Sequence, residues 1–107
     1  MAKKKGNFRK GFRKNKRIKH PAYVVDENGN LYQYIGVTHS KMTGSENNIP
    51  LLKNPNPDDS RQAYIRPRVE EDDSKNFGRR YSNWKFSKKD KRKVEKIIEN
   101  SKKKPRK

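Results

Sequence analysis

Cysteine is absent from this 107-residue chain, which excludes disulfides, thiolate metal sites and a cysteine nucleophile. Histidine occurs only as His20 and His39, and the acids are scattered, so neither a transition-metal site nor a cofactor is expected. Leu, Ile, Val and Phe together make up only 18 of the 107 residues, a content at which high net charge begins to imply disorder. Whatever core exists must be small and concentrated in the middle of the chain. Long apolar runs, a broad amphipathic face and lipidation signals are missing, and the basic opening MAKKKGNFRK leads into no apolar segment. These absences lead us to expect a cytoplasmic protein with no membrane partner. Acids are short as well: 12 Asp and Glu stand against 30 Lys and Arg, a formal charge of +18. Such a charge attracts polyanions, and nucleic acid is the default partner.

The cations cluster at both ends. Residues 1–17 carry Arg9, Arg13 and Arg17 among many lysines, with no acid and no periodicity, and are expected to be a disordered arm whose arginines hold phosphates. Phe8 and Phe12 lie within that arm, where they either stack on unpaired bases or tuck onto the fold. Residues 101–107 form a second basic tail, leaving residues 18–100 as the folded domain.

Within that domain the stretch Lys19 to Ser40 stands out. Two β-rich runs, AYVV (Ala22 to Val25) and LYQYIGV (Leu31 to Val37), flank Asn28-Gly29, a hairpin signal because both residues accept positive φ. Leu31, Gln33, Ile35 and Val37 fall on one face, and Tyr32, Tyr34 and Gly36 on the other, which reads as a half-exposed aromatic surface. Gly36 is a candidate bulge. The hairpin would return Lys19-His20 toward Thr38-His39-Ser40.

Beyond it, Lys41 to Asn48 reads as a loop, Asn48 to Lys53 as a short strand and Asn54 to Ser60 as a proline turn cluster. Gln62 to Val69 reads as a strand with Tyr64, Arg66 and Arg68 on one face, a surface for phosphates and bases or a solvated outer face. The acidic block Glu70 to Asp73 lacks EF-hand spacing and is expected to be a loop that pairs with a basic arm. Ser87 caps a helix whose stripe is Val94, Ile97 and Ile98, with Asp90 three residues on to complete a capping box.

This order of short strands, polar loop and late helix resembles the PemK/MazF family of plasmid-maintenance toxins. The similarity rests on Lys19-His20-Pro21 before AYVV, on Ile35 to Ser40, on Ser60 to Val69 and on Trp84 to Asp90. The resemblance implies a mainly β, small SH3-like barrel with a C-terminal helix, commonly a homodimer, that cleaves single-stranded RNA without a metal and is held by an acidic antitoxin. Family members place arginine before the strand-opening proline, where this chain has His20.

In such a reaction the ribose 2′-hydroxyl attacks, so the protein supplies a base, an acid and charge stabilisation. His20 and His39 suit the first two roles, and Lys19 or an arginine of the Arg66-Pro67-Arg68 strand the third, with Thr38 and Ser40 donating hydrogen bonds. Two other classes fit the composition: a non-catalytic nucleic-acid-binding module, and a toxin-like barrel that only binds a protein partner.

Overall fold

The computed structural model describes residues 10–103. The hairpin forms as expected, from His20–Asn28 (β2) and Leu31–Thr38 (β3), joined by a two-residue loop in which Gly29 adopts φ +62°. β2 receives Gly11–Asn15 (β1) on its other side, with Phe12 opposite Tyr23 and Asn15 opposite His20. Across β3, the outer edge is shared by Glu70–Asp73 (β8), paired along Leu31 to Tyr34, and Tyr64–Ile65 (β7), paired at Val37 and Thr38. To keep chain order, Met42–Thr43 is β4, Glu46–Asn47 is β5 and Ile49–Pro50 is β6. β6 pairs with β7, and β4 and β5 make a separate two-stranded hairpin. Helix α1 spans Lys88–Lys103.

The fold is therefore mainly β with one C-terminal helix, but the six-stranded antiparallel sheet is open. A barrel would need β1 to close onto β6. Instead the free edge of β1 is taken by residues 76–81, through Lys16 N to Asn76 O (2.7 Å), Gly78 N to Lys14 O (2.9 Å) and Tyr81 N to Phe12 O (2.8 Å).

Alternation along the strands divides the apolar side chains between two cores. Phe12, Val25, Ile35, Val37, Leu51, Ala63 and Ile65 face α1, which contributes its expected stripe through Val94, Ile97 and the partly buried Ile98. Ala22, Val24, Tyr34 and Phe77 form a smaller cluster on the opposite face. The bulge lies at Val25 and not at Gly36: alternation already sends Val24 and Val25 to different cores, and the extra residue resets the register so that Asp26 stands opposite Gln33. The aromatic face is closed as well: Tyr34 is 2% exposed, packed on Phe77 with centroids 5.4 Å apart.

Three further expectations are corrected. The arm foreseen over residues 1–17 contains a strand, because Phe12 is buried against Tyr23, Phe86 and Trp84, with centroids 4.9, 4.8 and 5.6 Å away. Arg9, and the rest of that arm before Lys10, lie outside the described residues, as do residues 104–107 of the tail. The tail itself begins inside α1. Finally, the acidic block is a strand and not a loop. Its charges are met by neighbours: Tyr34 Oη donates to Glu70 (3.2 Å), Gln33 to Glu71 (3.1 Å) and Asn15 to Asp72 (3.0 Å). It does pair with a basic residue of the arm, since Arg17 Nε donates to Asp72 Oδ2 at 2.7 Å.

Candidate nucleic-acid interface

The loop from Lys16 to Lys19, between β1 and β2, is built by Asn15. Its side chain, fully buried, accepts from Arg17 N (2.9 Å) and Ile18 N (3.3 Å), while its backbone carbonyl accepts from Lys19 N (2.7 Å). This closes a tight turn that leaves Lys19 at φ +62°, a conformation that disfavours any side chain with a Cβ. A lysine is kept there nonetheless. Burial opposes the charge of Asp72, yet hydrogen bonds from Asn15, Arg17 and Asn76 and from the Asp73 N–H outweigh it and hold the carboxyl well below its usual range.

The bridge between Asn15 and Phe77 sets residues 75–80 beside this loop and strand. Exposed Lys14, Lys16, Lys19, Lys75 and Arg79 consequently share one edge and turn of the sheet. None of the ion pairs among the described residues involves any of the five.

The arginines singled out in the sequence behave differently. Arg13 is half-buried, with its guanidinium carbon 5.4 Å from the Tyr32 centroid and Nη1 donating to Gly78 O at 3.1 Å. Arg17 is held by Asp72. Arg66 and Arg68 both donate to Glu46 on the β4–β5 hairpin: Arg66 Nη2 to Oε1 at 2.9 Å, and Arg68 Nη2 to Oε2. Arg66 crosses the sheet directly over Gly36, where an added Cβ would lie 3.0 Å from its Cγ. The smallness of Gly36 is what this close approach requires. Tyr64 is half-buried in β7 beside Thr38.

The hairpin carries the catalytic candidates toward one end, and each histidine there has its own surroundings. By strand alternation His20 lies on the face of Ala22 and Val24, exposed, opposite Asn15. His39 turns to the loop that connects Leu51 to Ala63, where Nε2 lies 3.3 Å from Asp59 Oδ2. The side-chain hydrogen bond from Arg61 holds the Asp59 carboxyl well below its usual range. Thr38 Oγ1 accepts from Ser40 N at 3.1 Å, and the Ser40 carbonyl accepts from Asn48 at 3.0 Å, so this element is a closed turn.

Base stacking has few candidates here. Phe12 is core, and Tyr81 and Trp84 stack on each other with centroids 4.5 Å apart. Among the described residues no cluster of three or more His or acidic side chains could hold a metal. A groove of about 860 Å³ opens between the end of α1 and the sheet, lined by Asp26 and Glu71 and by Lys10 and Lys102, so its charges balance.

What the sequence reading missed is the edge of lysines with Arg79. Its signal was present as the irregular basic run after the acidic block, which carries no periodicity to say where it docks. Compared with protein-family models, curated proteins and solved structures, the chain matches none.

Proposed function

We propose that this protein binds nucleic acid, single-stranded RNA foremost, through contacts from the edge formed by Lys14, Lys16, Lys19, Lys75 and Arg79 to the phosphate backbone. The observation that carries this reading is that these five cations share an edge and none has a carboxylate partner in the described residues. A narrow strand edge tracks one backbone better than it fills a duplex groove. With Phe12 buried and the Tyr81–Trp84 pair closed on itself, the binding reads phosphate and not base identity. The resemblance to PemK/MazF toxins supports the same polyanion, although it carries an SH3-like barrel where this sheet is open. An acidic antitoxin peptide and a homodimer belong to that resemblance. The test is anisotropy of a labelled RNA against salt: each lysine of the edge changed to glutamine lowers the log–log salt slope by about 0.7. A slope that does not move removes the edge from the interface.

A second reading, metal-free cleavage, is favoured by one observation, the His39–Asp59 contact. A carboxylate 3.3 Å from one ring nitrogen orients the imidazole and leaves the other nitrogen for a substrate proton. His20 stands opposite Asn15 and not beside Asp59, and would act separately. Single-stranded RNA incubated with the protein in EDTA decides it: cleavage lost in His39→Ala upholds the reading, and intact RNA abandons it.

A further inference from the structure

Glu46 is a half-buried residue on a small hairpin, and it accepts from two guanidiniums at once. Arg66 is the more enclosed of the pair, its side chain 17% exposed, and its Nη1 is fixed by Asn48 Oδ1 at 2.7 Å. Arg68 is 52% exposed and opens the arrangement to solvent. Two forks converging on one pair of oxygens, with one fork locked in place, suit a phosphate as well as they suit a carboxylate.

The hairpin that carries Glu46 does not need this contact to stay folded at its base. Asn48 N donates to Lys41 O (2.8 Å), and its side chain to Ser40 O (3.0 Å) and Thr43 Oγ1 (2.9 Å). Glu46 can therefore swing away by its own side-chain torsions while β4 and β5 remain paired.

We propose that Arg66 and Arg68 form a seat for one phosphate group of the bound RNA, and that Glu46 occupies this seat in the free protein. The proposal rests on the RNA-binding reading above. A single free phosphate competes poorly with a carboxylate attached to the same chain. A phosphate delivered on an RNA already held along the lysine edge has a comparable effective concentration and displaces it. Glu46 thus acts as a built-in competitor that holds the seat closed until a multivalent polyanion arrives.

The experiment measures binding of a short labelled RNA by the full chain at ~0.1 M salt, where surface charges are screened beyond roughly 10 Å. Glu46→Gln is compared with Glu95→Gln, which makes the same charge change on the exposed face of α1. Glu46→Gln should bind about tenfold tighter, the worth of one charge-assisted hydrogen bond, and Glu95→Gln less than about twofold. Adding Arg68→Gln to Glu46→Gln should return affinity to near the wild-type value. A folded Glu46→Gln that binds no tighter than Glu95→Gln overturns the proposal.

Should Glu46→Gln not fold, Arg68→Gln alone decides against Arg92→Gln on the helix: a severalfold greater loss upholds the seat, an equal loss sinks it. If the wild-type protein binds no RNA, the broader reading fails by itself. The seat is then judged by titrating inorganic phosphate against the arginine side-chain NMR signals of Glu46→Gln. Saturable shifts at Arg66 and Arg68 uphold it, and their absence refutes it.

Discussion

Asp90 is the buried charge on which the connection between sheet and helix depends, and its removal has a calculable effect. Its carboxylate is fully buried, at the first turn of α1. Oδ1 accepts from Leu52 N at 2.8 Å and Oδ2 from Lys53 N at 3.0 Å, while its own N–H donates to Ser87 Oγ at 3.2 Å. The expected capping box is thus only half made: Ser87 caps the helix, and Asp90 reaches away to hold the chain leaving β6. Burial works against the charge, but the two backbone donors, Lys93 and Ser87 outweigh it and keep the carboxyl below its usual range.

Asp90→Ala leaves two backbone N–H groups without their acceptor beneath the helix. Each charge-assisted bond is worth ~1.5–3 kcal/mol, and losing the carboxylate also relieves its burial, so the net cost is ~2–4 kcal/mol. For a domain of this size that lowers Tm by roughly 10–25 °C. Ser87→Ala should cost only ~1 kcal/mol, the usual worth of a cap. Lys93→Ala should cost under ~1 kcal/mol, since that ion pair is partly exposed. Urea denaturation gives the order, and hydrogen exchange gives the location, with Leu52 and Lys53 amides losing protection first. An Asp90→Ala protein within ~1 kcal/mol of wild type, or unchanged exchange at those amides, refutes the reasoning.

Other perturbations have equally definite outcomes. Phe12→Ala, at the centre of the aromatic cluster, should cost ~3–5 kcal/mol in denaturant, against almost nothing for an aromatic on a disordered arm. Tyr34 is pushed up to about 12 by burial and by the Glu70 charge, so the folded state holds its proton more tightly than the unfolded state does. The resulting stability is complete below pH 10 and drains away as pH climbs from 10 toward 12; Tyr34→Phe should flatten that limb of a stability-versus-pH curve. For Asp72 the sign reverses: its depressed carboxyl contributes stability above pH 3.8 that disappears as the solution is acidified below it, and Asp72→Asn should lose stability at neutral pH while becoming less acid-sensitive. Lys19→Gly should keep or raise Tm by relieving the left-handed residue, yet lower the RNA salt slope by about 0.7.

The parts of the fold that were legible are those with local chemistry. Asn28-Gly29 announced the hairpin, Ile35 and Val37 do face the core under α1 while Tyr34 takes the opposite face, buried and not half-exposed, and Val94, Ile97 and Ile98 do dock α1. What stayed hidden was long-range pairing. Phe12 sits among cations that obscure its alternation, and nothing near it in sequence reveals Tyr23 or Phe86 as neighbours. Four consecutive acids read as a solvated loop because strand propensity is set by context, here the donors on Tyr34, Gln33 and Asn15. The candidate site divided along the same line. The hairpin was expected to unite two imidazoles; in the structure His20 stands exposed opposite Asn15, while His39 lies against Asp59, on a loop that local sequence does not connect to it.

The arginines teach the reverse of what was expected of them. A guanidinium was taken as the natural phosphate ligand, because its planar fork donates to two oxygens at once. That same fork suits a carboxylate, and the chain carries its own carboxylates at high effective concentration. Of the six ion pairs among the described residues, four therefore use arginine, and only one uses lysine. Lysine is a strongly hydrated point charge that gains less from a fixed partner, so it is left over on the surface. The scarce acids thus influence which cations face a ligand: they hold four of the eight described arginines, and the edge of Lys14, Lys16, Lys19 and Lys75 beside Arg79 remains. It follows that neutralising one acid should matter more where it frees a fork, at Glu46, than where it adds to an already open face, at Glu95.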